Sequence, residues 1–275
     1  MKLSLCLATR NEEKNIHYAL DSAIAWADEV VVVDGGSTDI TLDILRSYGD
    51  KVKIIQTDNP PMFHINKQKA IEAAQGEWIL QLDADEEITP ELKDEILKIV
   101  NENGEKFAYQ IPRKNFFLGR ALMKGGVYPD YTIRLYKNNT VYFPCKDVHE
   151  NVEPTAEQRA KLIEQREWLG TLQNSMHHYS DPTFGRYLAR WQRYTTAESN
   201  RVIEEAKKIY GNNSNKLRLW KAIFLTKAFL FLPPYWFIKT YVRHKGFQDG
   251  WQGFVFHLMS AIRWWGIAYK VAFKK

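Results

Sequence analysis

Residues 76–87 read Gly-Glu-Trp-Ile-Leu-Gln-Leu-Asp-Ala-Asp-Glu-Glu. Trp78, Ile79, Leu80 and Leu82 form a short apolar run that starts after a glycine and ends in a cluster of carboxylates, and Thr89-Pro90 then signals a helix start. The pattern predicts a buried strand that ends in acid. In an α/β sheet ligands bind beyond the carboxyl ends of the strands, so Asp83, Asp85 and Glu86 are expected in a crevice. An Asp-x-Asp pair across a strand-to-turn transition can converge on one hard divalent cation, Mg²⁺ or Mn²⁺, which prefers oxygen ligands and keeps positions open for substrate phosphates. The plainer alternative is a solvated acidic turn that caps the following helix.

Working outward, residues 3–8 read as a first strand, followed by the polar turn Thr9-Arg10-Asn11-Glu12-Glu13 and a helix to about Ala25. Residues 29–34 form a Val-rich second strand, continuous enough to be buried on both faces. It ends in Asp34-Gly35-Gly36-Ser37-Thr38-Asp39, a glycine turn with capping residues that leads into a helix carrying Leu42, Ile44 and Leu45. A third strand at 53–57 and a helix at 64–74 complete the approach to Trp78. Strands alternating with helices imply βαβ units and a mainly parallel sheet. No Gly-x-Gly-x-x-Gly or Walker loop is present in the sequence, which removes the main support for dinucleotide and P-loop classes. Carboxylates instead end two strands, at Asp34 and at Asp83/Asp85, and such groups can accept hydrogen bonds from a base or ribose while an ion holds a diphosphate.

Beyond a helix at 90–100, residues 107–112 read as a strand, and Tyr128-Pro129-Asp130-Tyr131-Thr132-Ile133-Arg134-Leu135-Tyr136 runs into another. Asp147-Val148-His149-Glu150 follows. Asp130, His149 and Glu150 fall in the region expected to cover the open end of the sheet, and each is a candidate general base. Asp181-Pro182 predicts a helix N-terminus, cap followed by proline, with the helix running to Tyr210 and stopped by Gly211. Its stripe of Phe184, Tyr187, Leu188, Trp191 and Tyr194 reads as packing.

Charge divides the chain unevenly. Residues 216–275 hold eleven Lys or Arg against one acid, Asp249, and five of the nine tryptophans, while the first 215 residues carry a net charge of −5. Two apolar stretches in this tail, 217–232 and 251–273, are interrupted by Lys and Arg and fall short of the roughly twenty apolar residues a bilayer span needs. Basic, Trp-rich amphipathic segments suit an anionic membrane interface. A nucleic-acid surface is disfavoured, because so many Leu, Ile and Phe residues would stay exposed. Cys6 and Cys145 are too few for a disulfide framework, and residues 3–8 are too short for a secretory apolar core, so the expected location is cytoplasmic, peripheral on the inner face of the membrane.

Leu-Ala-Thr-Arg-Asn-Glu-Glu (7–13), Val-Val-Asp-Gly-Gly-Ser-Thr-Asp (32–39) and Ala-Gln-Gly-Glu-Trp-Ile-Leu-Gln-Leu-Asp-Ala-Asp-Glu (74–86) resemble family 2 glycosyltransferases of the GT-A fold. Residues 128–136, Val148-His149-Glu150, His178-Tyr179 and 187–195 resemble the subgroup of bacterial lipopolysaccharide-core β-1,4-glucosyltransferases. The resemblance implies a Rossmann-like GT-A domain over residues 1–180, followed by a helical, amphipathic, membrane-associating region over 181–275. It implies an inverting transferase that uses a divalent metal and a UDP-sugar, a hexose such as glucose, to extend a lipid-linked saccharide such as the lipopolysaccharide inner core. Thr9, Asn11 and Glu12 would border the nucleotide, Asp34 would accept from uracil or ribose, and Asp83 would face ribose or a metal-bound water. Asp83 and Asp85 match the metal motif, with Asp85 the direct ligand and His149 or His178 completing the metal or phosphate site. Asp130 is the first choice of base, with Glu150 close behind. The alternatives are a polyprenyl-phosphate sugar synthase and, as a non-enzyme, a membrane-bound sugar-binding scaffold.

Overall fold

A computed structural model describes residues 1–60, 62–145, 151–161, 168–211 and 213–274. Contacts within the chain define two compact units, residues 1–113 with 130–178, and residues 114–129 with 179–275.

The first unit is built on β1 (Leu3–Thr9), α1 (Ile16–Ala23), β2 (Glu29–Asp34), α2 (Thr41–Ser47), β3 (Val52–Gln56), α3 (His64–Ala73) and β4 (Trp78–Leu82). Strands β3, β2, β1 and β4 lie side by side and parallel, with Thr9 level with Asp34 and Leu7 level with Leu82. Helices cover both faces, which is why these strands are apolar at successive rather than alternate positions. Leu3, Leu5 and Leu7 pack with Val30, Val32, Leu80 and Leu82 on one face, and Cys6, Val31, Val33 and Ile79 pack with Ala70 and Ile71 of α3 on the other.

A short β5 (Glu86–Glu87) then leads to α4 (Pro90–Asn101), and Thr89 caps this helix by accepting from the Leu92 N–H at 3.3 Å. From here the sheet departs from simple βαβ alternation. Strands β6 (Ala108–Phe117), β7 (Arg120–Ala121) and β8 (Asp130–Lys137) follow, and β8 inserts antiparallel between β4 and β6. A two-stranded ladder of β9 (Val141–Tyr142) and β10 (Glu153–Pro154), a short α5 (Ala156–Lys161), β11 (Leu169–Thr171) and β12 (Met176–Asp181) complete the strands. The main sheet runs β3-β2-β1-β4-β8-β6-β12-β5, so it is mixed, with its parallel half at the N-terminus. β12 meets β5 antiparallel, with His178 opposite Glu86.

The second unit contains the 114–129 hairpin, α6 (Phe184–Tyr210), α7 (Ser214–Thr226), α8 (Leu232–Phe237) and α9 (Gly250–Phe273), with π-helical turns at Lys227–Phe231 and Ile238–Arg243. Its small core joins Phe117, Leu122 and Tyr187 to Trp191, Val255, Phe256 and Met259. The N-cap of α6 is Thr183, which accepts from Arg186 N–H, and not Asp181 as the Asp-Pro pair predicts. Asp181 is instead the last residue of β12, its carboxylate paired with Arg190 and its backbone oxygen accepting from Leu118 N–H at 2.9 Å. Gly211 ends the helix at φ +58°, where a side chain would be strained. The Asp249 carboxylate accepts from the Met123 and Lys124 N–H groups at 3.1 and 2.8 Å and holds the hairpin loop in place.

Candidate active site

The carboxyl ends of β1, β2 and β4 converge because the strands are parallel and in register. At the end of β1 the Thr9 hydroxyl is buried without a hydrogen-bond partner among the described residues. Asn11, in the left-handed region at φ +56°, donates its N–H to Ser37 Oγ at 2.9 Å and accepts from Thr38 N–H at 2.7 Å. Glu12 N–H donates to Thr41 Oγ1 at 2.8 Å, so the loops after β1 and β2 are cross-linked. Asp34 is buried and accepts from the Gly36 and Ser37 N–H groups at 3.0 and 2.8 Å and from the Ser37 hydroxyl. It therefore shapes the glycine turn in addition to whatever it offers a ligand.

The end of β4 carries an alternating chain of ions. Lys67, buried on α3, lies 2.5 Å from Asp83 Oδ1. Arg134 of β8 reaches Asp83 Oδ2 at 2.6 Å, Glu86 Oε1 at 2.7 Å and Gln81 Oε1 at 2.6 Å. Arg113 of β6 then bridges Glu86 Oε1 at 3.1 Å to Asp130 Oδ2, which it contacts through Nη2 at 2.7 Å and Nε at 3.1 Å. Glu86 is fully buried and also accepts from Asp83 N–H at 2.9 Å. The sequence Lys67–Asp83–Arg134–Glu86–Arg113–Asp130 alternates in sign and sums to zero, which is how buried charges escape the cost of desolvation without partners. Burial alone would raise the Asp83 pKa, but Arg134 and Lys67 outweigh it and hold this carboxyl well below the usual range.

Asp85 lies two residues beyond Asp83. Its Oδ1 is 3.6 Å from His178 Nε2, a neighbour brought in by the β12–β5 pairing. Among the described residues no group of three or more His, Cys, Asp or Glu side chains is arranged to hold a metal. One oxygen and one imidazole nitrogen are of a kind that would suit a divalent ion, which would need further ligands from substrate and water. Of the residues expected from sequence, Asp83, Asp85, Asp130 and His178 thus collect at the acidic end of β4, and Thr9, Asn11, Glu12 and Asp34 at the neighbouring strand ends. His149 and Glu150 lie outside the described residues.

Sequence reasoning did not enlist Lys67 or Arg113 and gave Glu86 no role. Lys67 had a signal: it lies three and four residues before Ala70 and Ile71, on the face that α3 buries. Arg113 had none, because its position depends on how β6 pairs.

Acidic strand ends, with a carboxylate–imidazole pair beside them, offer charge and hydrogen-bond acceptors to a small polar ligand. The model of the family described as "Glycosyl transferase family 2" matches residues 4–151, and the chain belongs to that family. Its mixed sheet followed by C-terminal helices is the GT-A fold. An uncharacterised glycosyltransferase of Rickettsia bellii is 28% identical over 268 residues, covering 94% of this chain and 82% of the relative. The lipopolysaccharide core biosynthesis glycosyltransferase LpsC of Rhizobium meliloti is 23% identical over 266 residues, covering 95% of this chain and 88% of its own. The crystal structure of Staphylococcus aureus TarS 1–349 in complex with UDP-GlcNAc aligns with a TM-score of 0.48 at 18% identity, covering 99% of this chain and 92% of that one.

Proposed function

We propose that this glycosyltransferase is an inverting, metal-dependent enzyme that moves a hexose, glucose in the first instance, from a UDP-sugar to a lipid-linked saccharide such as the lipopolysaccharide inner core. It works as a peripheral protein on the cytoplasmic face of the membrane, with residues 1–180 as the transferase domain and 181–275 as the membrane-associating region. The observation that carries this reading is the turn after β4, where Asp85 faces His178 while Asp83 is fixed by Lys67 and Arg134.

Asp85 and His178 would hold a Mn²⁺ or Mg²⁺ ion, which supplies charge neutralisation for a departing diphosphate. Asp83, kept ionised by its two cations, is placed to accept from ribose or from a water of the ion's shell. Thr9 Oγ1 offers a hydrogen bond that no described residue uses, and Asn11, Glu12 and Asp34 border the same strand ends, where a nucleotide would lie. Asp130 is assigned the general base, taking the acceptor hydroxyl's proton from the side opposite the leaving group, as single inversion requires. Arg113 orients that carboxylate through two hydrogen bonds. Glu150 is the other base candidate, and His149 remains a second candidate for the metal or phosphate site.

The test is UDP release from UDP-glucose, UDP-galactose and UDP-N-acetylglucosamine with Mn²⁺ or Mg²⁺. One donor should be hydrolysed by the wild type and none by Asp85→Ala. If calorimetry detects no UDP binding with either metal, the donor site is wrong and a sugar-binding scaffold takes its place. Asp130→Asn should abolish transfer but retain UDP binding, and near-normal turnover would move the base to Glu150.

A further inference from the structure

The second unit leaves apolar surface uncovered in a regular pattern. On α9, Gly253, His257, Ala261, Ala268 and Val271 are buried, while Trp251, Phe254, Leu258, Trp265, Tyr269 and Phe273 are exposed. Both sets recur at helical spacing, so one helix carries two apolar stripes and the fold covers only one of them. The preceding helical run has the same character. Leu219, Ile223 and Leu230 are exposed at steps of four and seven, and Tyr235, Ile238 and Val242 at steps of three and four. Phe231, the last residue of the π-helical turn at Lys227–Phe231, is also exposed and stands four residues before Tyr235, linking the two sets. The two runs also touch, for Trp265 Nε1 donates to Phe229 O at 3.0 Å and the Phe237 and Phe254 rings meet edge to face.

We propose that this face of α7, α8 and α9 lies in the plane of an anionic lipid bilayer, deepening the lipid-linked acceptor reading, on which it rests. Charge selects lipid over a protein occupant. Lys227, Arg243 and Lys245 are exposed around the stripe, and Lys239 lies 5.2 Å from the centre of the Trp236 ring. The single acid of residues 216–275, Asp249, is buried and occupied by two backbone N–H groups. A second copy of the chain would bring this basic surface against itself, which like charges oppose. Lysine is depleted from protein interfaces, whereas apolar side chains flanked by Lys, Arg, Trp and Tyr match the boundary between acyl chains and anionic headgroups. Among the described residues no helix is long and apolar enough to cross a membrane, so the helices lie along the surface.

The test uses the purified full chain and sedimentation with vesicles of phosphatidylcholine, with and without phosphatidylglycerol. Binding is expected to the anionic vesicles, with weakening at high salt. Leu230, Trp251 and Tyr269 are 64, 60 and 61% exposed, so replacing all three by Ser should leave folding intact. That variant should lose binding by at least about tenfold. Lys227→Gln, Arg243→Gln and Lys245→Gln together should lose about a hundredfold on anionic vesicles only, from about 1 kcal/mol per basic residue. Tryptophan emission of the unaltered protein should be quenched by lipids brominated on the acyl chain, a readout that needs no variant. Absence of binding and quenching in the wild type would overturn the proposal. So would a Ser variant that sediments like wild type, or a wild-type dimer that the Ser substitutions turn into a monomer. UDP release measured without vesicles should be equal in the Ser variant and the wild type; if no donor turns over in either, the transferase chemistry fails while the vesicle result stands by itself.

Discussion

The two units place most of their cations differently. In the first, Lys67, Arg113 and Arg134 are drawn inside and matched one for one with carboxylates. In the second, Lys227, Arg243 and Lys245 stay in solvent beside uncovered aromatic side chains. Buried ion pairs are weak sources of net stability but demanding about geometry, because removing one partner strands the other in a low dielectric. Exposed cations contribute little to folding and much to association. The comparison teaches that the first unit uses charge to fix positions, whereas the second leaves charge available at its surface.

The sharpest way to break this contrast is Asp85→Ala. If Asp85 serves the ion and not the fold, transfer should fall by about two to three powers of ten, the scale of losing one group that stabilises developing charge. The denaturation midpoint should scarcely move, and a large drop in stability would return Asp85 to a structural role. Next comes Glu86→Gln, which leaves Arg113 and Arg134 without their shared buried carboxylate. We expect a loss of about 3–5 kcal/mol in urea unfolding, the range for breaking a buried ion pair. A loss under about 1 kcal/mol would mean that water reaches these groups.

Asp83→Asn should be smaller and dependent on pH. The folded-state pKa of Asp83 lies below its unfolded value, so its contribution is present above the unfolded pKa, near 4, and lost as the pH falls through the folded one. Wild type should therefore exceed Asp83→Asn in stability at neutral pH, with a gap that narrows progressively below about pH 4. A gap independent of pH would show that the Lys67 and Arg134 pairings do not depend on ionised Asp83. The smallest effect on stability belongs to the second unit, where Leu230→Ser should stay within about 0.5 kcal/mol of wild type, as surface changes do. A larger loss would show that the face is packed in solution.

The parallel half of the sheet was legible because strands buried on both faces are largely apolar in sequence, and β2 and β4 each run into an acid, Asp34 and Asp83. Leu3 to Leu7 and Val30 to Val33 leave little choice of element. The antiparallel half was less so. Nothing near Arg134 in sequence announces Gln81, 53 residues away, or Asp83, and the partnership of His178 with Asp85 exists only through the β12–β5 register. The Asp-x-Asp turn could be read locally because both carboxylates belong to one short peptide, whereas their partners come from α3, β8 and β12. The misplaced start of α6 has the same origin: Asp-Pro is a sound local cap signal, overridden by the pairing of Asp181 with Arg190.

The cross-links made by Asn11 have a kinetic consequence. Because its backbone and side chain tie the loop after β1 to Ser37 and Thr38, the two loops have already lost much of their conformational freedom in the folded protein. On the proposed donor-site reading, a nucleotide arriving there need not order them, so its association should proceed in a single phase, close to the collision-limited range for small ligands, with no slow isomerisation following capture.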